Sequence, residues 1–492
     1  MTFELETAAH PEQLRRVAID PLSRVEGHGK VTLLLDQDDR VQQVRLHIVE
    51  FRGFEKFIQG RPYWEVPVMV QRLCGICPVS HHLAAAKAMD MIVGARLTPT
   101  AEKVRRLMHY GQILQSHALH FFHLASPDLL FGFDAEPARR NVVALIAEQP
   151  ELAKKGVLLR KYGQEVIRVT AGKRVHGTGA IPGGVNKALT AQERAYLQED
   201  VYRAIAWSRE AVEVVRRLHE SHREHYDAFG TFRSSMLSIV APDGALDLYD
   251  GSLRARDADG RIMVDRGDCS RYWELIFEEV KPWSYMKFPF LRSLGPEEGW
   301  YKVGPLARVQ NCDRIDTPLA DAARREFLEF FGGATVHAPL AYHWTRMIEM
   351  LFAAEQIKDL LHDDDLLGAD LVTQGERAER GVGVIEAPRG TLIHHYRVDE
   401  HDMVTRANLI VSTTHNNQAM NEAIRQVART YLDGRKLTEA LLNHIEVAIR
   451  AFGPCLSCAT HALGQMPPAV ELVDADGSMV DRLVKGGGAA RC

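Results

Sequence analysis

Two short stretches near opposite ends of this chain carry the same chemistry. RLCGICPVSHH (72–82) and GPCLSCATH (453–461) each hold a Cys-x-x-Cys pair with a histidine close behind, His81 in the first and His461 in the second. That spacing sets two thiols one helical turn apart. A single pair of this kind serves a disulfide, a redox dithiol or a metal. Two pairs with matching flanks supply four thiolates, a complete tetrahedral set for a soft transition metal. Structural zinc sites gather their cysteines within a few tens of residues, whereas Cys74 and Cys77 stand almost a whole chain away from Cys455 and Cys458. The fold must close around such a site, which a buried reactive metal requires and a structural clip does not. A thioredoxin-like dithiol sits at a strand-to-helix junction in a βαβ unit, and the pattern of this chain offers none.

The rest of the sequence has to position those thiols. Its 492 residues are 46% hydrophobic and 25% charged, with a formal net charge of −5, the make-up of a globular protein with no call on nucleic acid. No apolar run reaches the roughly 18–20 residues of a membrane helix, so no membrane insertion is expected. The N-terminus has no basic-then-apolar layout of a signal peptide, and a cytoplasmic location is expected. Cys269, Cys312 and Cys492 stand alone and read as ordinary thiols.

Residues 30–51 read as two strands either side of the turn DQDD. Helical periodicity then covers 99–125, with a Pro-Thr start, 190–226, 318–332, 340–363 and 418–451. A β-rich patch is expected at 237–266, and two or three strands around Pro-Arg-Gly at 381–411. Long helices joined by β excursions predict a mainly α (α+β) fold, a large helical bundle core with small peripheral β-hairpins and sheets. The last 31 residues have a separate strand-turn-strand rhythm and a glycine-rich end.

With its two cysteine motifs, the chain resembles the large subunit of nickel–iron hydrogenases. SRVEGHGK (23–30), FRGFE (51–55), HGTGAIPGG (176–184), VGPLAR (303–308) and EAPRG (386–390) follow in that family's order, and the wording is most like the bidirectional NAD-linked group. The resemblance implies reversible heterolytic cleavage of dihydrogen at a nickel–iron centre whose iron carries carbon monoxide and cyanide. By motif, Cys74 and Cys455 are expected as terminal nickel ligands, with Cys77 and Cys458 bridging to iron. Glu26 matches the acceptor of the proton from Cys455, and Arg389 matches the arginine over the open metal position. Thr413 falls where the family hydrogen-bonds a cyanide, and His81 where it hydrogen-bonds a bridging sulfur; His82 is read as packing. Glu55, the carbonyl of Leu409 and His461 match the ligands of a magnesium ion.

Two departures stand out. Many members have His-Asp-His where this chain has Gln115-Ser116-His117, and Asp-Pro-Cys where it has Gly453-Pro454-Cys455. Without those acids Arg389 is expected to be held less rigidly. The family also implies that 1–461 is a single domain and that 462–492 is a maturation peptide, removed by a dedicated protease after nickel-insertion proteins load the metal. No cysteines remain for iron–sulfur clusters, so a cluster-bearing small subunit is expected, with diaphorase subunits binding FMN and NAD. NADP or deazaflavin are alternative acceptors. A hydrogen-sensing regulatory subunit and a metal-free quinone-site subunit like that of complex I remain as alternative readings.

Overall fold

The computed structural model describes residues 13–460 and the strands Ala469–Val473 and Met479–Val484. Its longer helices, numbered in chain order, are α1 (Pro78–Ile92), α2 (Pro99–Leu119), α3 (Pro150–Ala171), α4 (Ala191–Ser221), α5 (Pro318–Phe330), α6 (Ala341–Leu361), α7 (Asn417–Val427) and α8 (Glu439–Phe452). Helix α2 packs along α3 and α6, and α4 packs against α3 and α6, which closes a four-helix bundle around the main hydrophobic core. The starts of these helices follow from local chemistry. The Thr98 hydroxyl accepts the Ala101 amide ahead of Pro99. At α4, Thr190 and Glu193 exchange side-chain and backbone hydrogen bonds in a capping box.

The expected hairpin is present as β2 (Gly29–Leu35) and β3 (Val41–Ile48), joined by β1 (Arg15–Ile19) into an antiparallel sheet. The patch near 237–266 forms β4 (Ser235–Val240), β5 (Ser252–Arg256) and β6 (Ile262–Gly267), with Tyr301–Lys302 added in parallel beside β4. The region 381–411 is the meander β7 (Arg380–Ala387), β8 (Gly390–Val398) and β9 (Val404–Ile410). The 418–451 pattern is not one helix: α7 ends in a wide turn at Ala428–Leu432, and α8 begins only after the Thr438 cap. Glycine and polar residues at 433–438 divide the periodicity there. The tail strands, β10 (Ala469–Val473) and β11 (Met479–Val484), pair antiparallel, in keeping with the rhythm read from sequence.

Two features place the first cysteine pair. Helix α1 lies directly on β7 because Gly381 and Gly383 face it. A Cβ on either would stand 1.8–1.9 Å from the carbonyl of Ala88 or Ala84. Arg105 of α2 then grips both oxygens of Asp90 on α1, at 2.6 and 2.9 Å, in a buried bidentate pair. The helix cannot slide, and its N-cap, Cys77, is fixed.

Candidate metal centre

The four cysteines predicted from spacing converge. Their sulfurs all lie within 4.8 Å of one another, and all four residues are buried. Cys74 and Cys455 are 3.0 Å apart, Cys455 and Cys458 3.0 Å, and Cys77 and Cys458 3.7 Å. The amides of Ile76 and Cys77 donate to the Cys74 sulfur at 3.2 and 3.3 Å. The loop between Cys74 and Cys77 is held from α2, where Gln112 and Gln115 both donate to the Ile76 carbonyl at 2.8 and 2.6 Å. Hydrogen bonds from the other sulfurs, chiefly Cys455, hold the Cys77 thiol well below its usual range, while burial pushes Cys455 and Cys458 well above it. Four sulfurs this close cannot all carry negative charge without a cation among them. The donor set therefore fits a soft transition metal, and the metal-free alternative has no use for it.

Arg389 sits in the Pro388–Arg389 turn between β7 and β8 and lines a small pocket with Cys77, His81, Thr413 and Cys455. Burial opposes its charge, but the four sulfurs more than offset this and raise its pKa. Arg389 is held by two neutral partners. Its Nε donates to the Gly453 carbonyl and one terminal nitrogen donates to the Ser116 hydroxyl at 2.9 Å. The two positions that lack the family's acids still hold it, one through a hydroxyl and the other through main chain. Gly453 also has a steric reason. It ends α8 at φ +64°, and a Cβ there would stand 2.7 Å from the His120 ring.

Behind the turn lies a buried ion network that the sequence reading missed. Arg308 of VGPLAR donates to both oxygens of Glu349 at 2.6 Å, to Glu386 at 2.8 Å and to the Ala387 carbonyl at 2.7 Å. His117 contacts Glu349 at 3.0 Å. The three motifs VGPLAR, EAPRG and QSH thus meet in one clamp on the Arg389 turn. Only Glu349, set among the apolar Met347, Ile348, Met350 and Leu351 of α6, signalled it.

Glu26 reaches the second pair from the other side. Its carbonyl accepts the Leu456 amide at 2.9 Å, and its carboxylate accepts the Ser457 amide at 3.2 Å and the Ser457 hydroxyl. Thr413 accepts the Cys455 amide at 2.9 Å, which leaves its own O–H as a donor. His81 stands one turn after Cys77 on α1, reaches its sulfur, and contacts His394 at 3.1 Å. His82 bonds the Pro67 carbonyl and the Ala180 amide, as a packing residue does.

Glu55 and Leu409 also meet, since the Leu409 amide donates to the Glu55 carboxylate at 2.8 Å. N–H and C=O of one strand residue point the same way, so the Leu409 carbonyl faces the Glu55 side as well. Burial raises the Glu55 pKa, and Lys287 stands 3.5 Å away. His461 lies outside the described residues. Thr460, one position before it, accepts the amides of Arg52 and Gly53 at 3.0 and 3.2 Å, which draws FRGFE to the end of the second motif. Cys269 and Cys312 bond the carbonyls of Gly251 and Val309 and join no cluster, while Cys492 lies outside the described residues.

The nickel-dependent hydrogenase family model matches residues 52–151 and 261–461, and a HoxL-like model matches 16–51. The beta subunit of the NAD-reducing hydrogenase HoxS of Cupriavidus necator is 49% identical, covering 95% of this chain and 99% of that protein. A crystal structure of an NAD+-reducing NiFe hydrogenase in the H2-reduced state superposes with a TM-score of 0.90 at 61% identity, over 91% of this chain and 99% of that one. The Ni-Fe-Se hydrogenase of D. vulgaris Hildenborough, at 24% identity and a TM-score of 0.73 over 91% of this chain and 100% of that one, shares the fold.

Proposed function

From the premise that this chain belongs to the nickel-dependent hydrogenase family and is the large, catalytic subunit of a nickel–iron hydrogenase, we propose the roles of its residues as follows. Cys74, Cys77, Cys455 and Cys458 would hold the nickel–iron centre, Cys74 and Cys455 as ligands of nickel alone and Cys77 and Cys458 as ligands shared with an iron that would carry carbon monoxide and cyanide. The bound pair of metals supplies the site at which dihydrogen splits heterolytically, releasing in all two protons and two electrons. The observation that carries this reading is the set of four buried sulfurs within 4.8 Å, with Arg389 lining the pocket beside Cys77 and Cys455 and Glu26 bonded to Ser457 between the second pair.

Cys455 takes a proton on its sulfur. Glu26 receives it next, and the two Ser457 donors keep its carboxylate turned toward the second cysteine pair. Arg389, fixed by Ser116 and Gly453, presents its remaining N–H groups to the pocket, where they would polarise what enters and could donate to a cyanide. The Thr413 O–H would be free to donate to a second cyanide. His81 would donate to the sulfur of Cys77. Glu55, the Leu409 carbonyl and His461 hold magnesium, an arrangement of oxygen and imidazole donors suited to a hard cation; the closeness of Glu55, Leu409 and Thr460 supports it.

Electrons leave through a small subunit with iron–sulfur clusters, because the remaining cysteines among the described residues are isolated. They pass to diaphorase subunits that bind FMN and reduce NAD, as the name of the C. necator relative supports. NAD as acceptor places the enzyme in the cytoplasm. No helix among the described residues is long and apolar enough to cross a membrane. Residues 1–461 form the working domain and 462–492 the maturation peptide, which a protease removes once nickel-insertion proteins have loaded the site. The test is metal analysis of the complex, purified anaerobically with its maturation machinery. Nickel and iron in equal amounts, beyond the partner's clusters, are expected; zinc alone would overturn the reading.

A further inference from the structure

Strand β8 carries His394 and Tyr396 two residues apart, so both face α1. Both are completely buried, and Tyr396 packs among Val70, Leu73, Ala85 and Met89. Three contacts join them in line with the metal centre. The Tyr396 hydroxyl lies 2.6 Å from His394 Nδ1, His394 Nε2 lies 3.1 Å from His81 Nδ1, and His81 reaches the Cys77 sulfur. Burial drives the Tyr396 hydroxyl well above its ordinary pKa, so it stays protonated.

The chemistry of the end group fixes the direction of the whole chain. A metal-bound thiolate only accepts, so His81 must carry its proton on Nε2 and leave Nδ1 as an acceptor. His394 then donates from Nε2, which leaves its Nδ1 as an acceptor in the neutral ring, and the Tyr396 hydroxyl is placed to donate to it. In this arrangement every hydrogen bond of the chain points toward Cys77. We propose that His394 and Tyr396 are positioning residues that lock His81 in the tautomer donating to the Cys77 sulfur, and so tune electron donation from that sulfur to the iron. This rests on the reading of Cys77 as a bridging ligand. Loss of the donated hydrogen bond makes the thiolate a stronger donor. The iron becomes richer in electrons and back-donates more into its diatomic ligands.

The test is infrared spectroscopy of the anaerobically purified complex in the carbon monoxide and cyanide stretching region, with nickel and iron content and melting temperature measured alongside. Tyr396→Phe, which keeps the ring, is expected to shift the bands to lower frequency at unchanged metal content. His394→Leu is expected to shift them further, and adding Tyr396→Phe to it is expected to shift them no more, because the chain is already cut. His394→Gln, whose amide donates to His81 without help from Tyr396, is expected to restore bands near those of the unmodified enzyme in either background. Bands that stay put in both single variants, or shifts that add, overturn the proposal. A purely structural role would lower the melting temperature and leave the bands in place. An unmodified complex with no such bands overturns the nickel–iron reading itself, and this inference with it.

Discussion

The guanidinium of Arg389 donates to the hydroxyl of Ser116, on a helix 273 positions earlier in the chain, at 2.9 Å. That bond is one of the two that aim the arginine. Ser116→Ala removes a hydrogen bond to a charged group, worth about 1.5–3 kcal/mol. Expressed wholly in the transition state, that is roughly a 10- to 100-fold slower turnover. Dye-linked dihydrogen oxidation at unchanged metal content is the measurement, and an undiminished rate would show that the Gly453 carbonyl suffices.

Glu26→Gln keeps the shape of the side chain beside Ser457 but removes the basic carboxylate. The metals are expected to stay bound while dihydrogen oxidation with a dye acceptor nearly vanishes. Wild-type turnover in this variant would remove Glu26 from the proton route.

Cys458→Ser takes away the sulfur that lies 3.0 Å from Cys455 and 3.7 Å from Cys77. The expected outcome is a chain without the bimetallic site that retains its C-terminal tail, seen as the larger band on a denaturing gel. A processed, nickel-loaded variant would contradict the bridging role.

Gly453→Ala puts a Cβ at a left-handed φ, a cost of about 1–2 kcal/mol, and into the His120 ring as well. A lower melting temperature is expected. The loss should shrink in a His120→Ala background, where only the backbone cost persists. Equal losses in the two backgrounds would mean that the ring is not the obstacle.

Burial lowers the pKa of His47 to about 4 and those of His109 and His415 to about 3. Unfolded, the same groups titrate near 6.5. The unfolded state therefore takes up protons first as pH falls, so the stability these neutral rings allow is complete above about pH 6.5 and is lost progressively toward pH 3–4. Each group contributes on the order of a few kcal/mol to that loss. Melting temperatures recorded from pH 7 to pH 4 should decline, and a flat profile would show that the three rings already find solvent.

The sequence spelled out the amphipathic helices because each has a wet face that imprints a period, and the hairpin at 30–51 and the meander at 381–411 because turn residues punctuate their apolar runs. Helix α1 went unread for the opposite reason. PVSHHLAAAKAMDMI is buried on nearly every side, between β7 and α2, so no period of 3.6 survives. Helix α3 also escaped notice, and its Gly156 and Gly163, which admit Phe122 and the backbone of α2, weaken its helical signal. At the site, cysteine spacing announced the ligands across nearly the full length of the chain. The holders of Arg389 were not legible. A main-chain carbonyl at 453 has no letter of its own, and Ser116 looked like the loss of an acid rather than the gain of a hydroxyl.

The amide of Leu456 closes on the carbonyl of Glu26, and that of Cys455 on Thr413, so the four-sulfur set is completed by a segment made long after the first pair. During synthesis the first cysteine pair emerges hundreds of residues before its counterpart. A chain that stalls anywhere before Cys458 lacks at least one of the four sulfurs, however well its helices pack. The four-sulfur set therefore exists only in a chain that has been made through Cys458 and has brought its second pair back to the first.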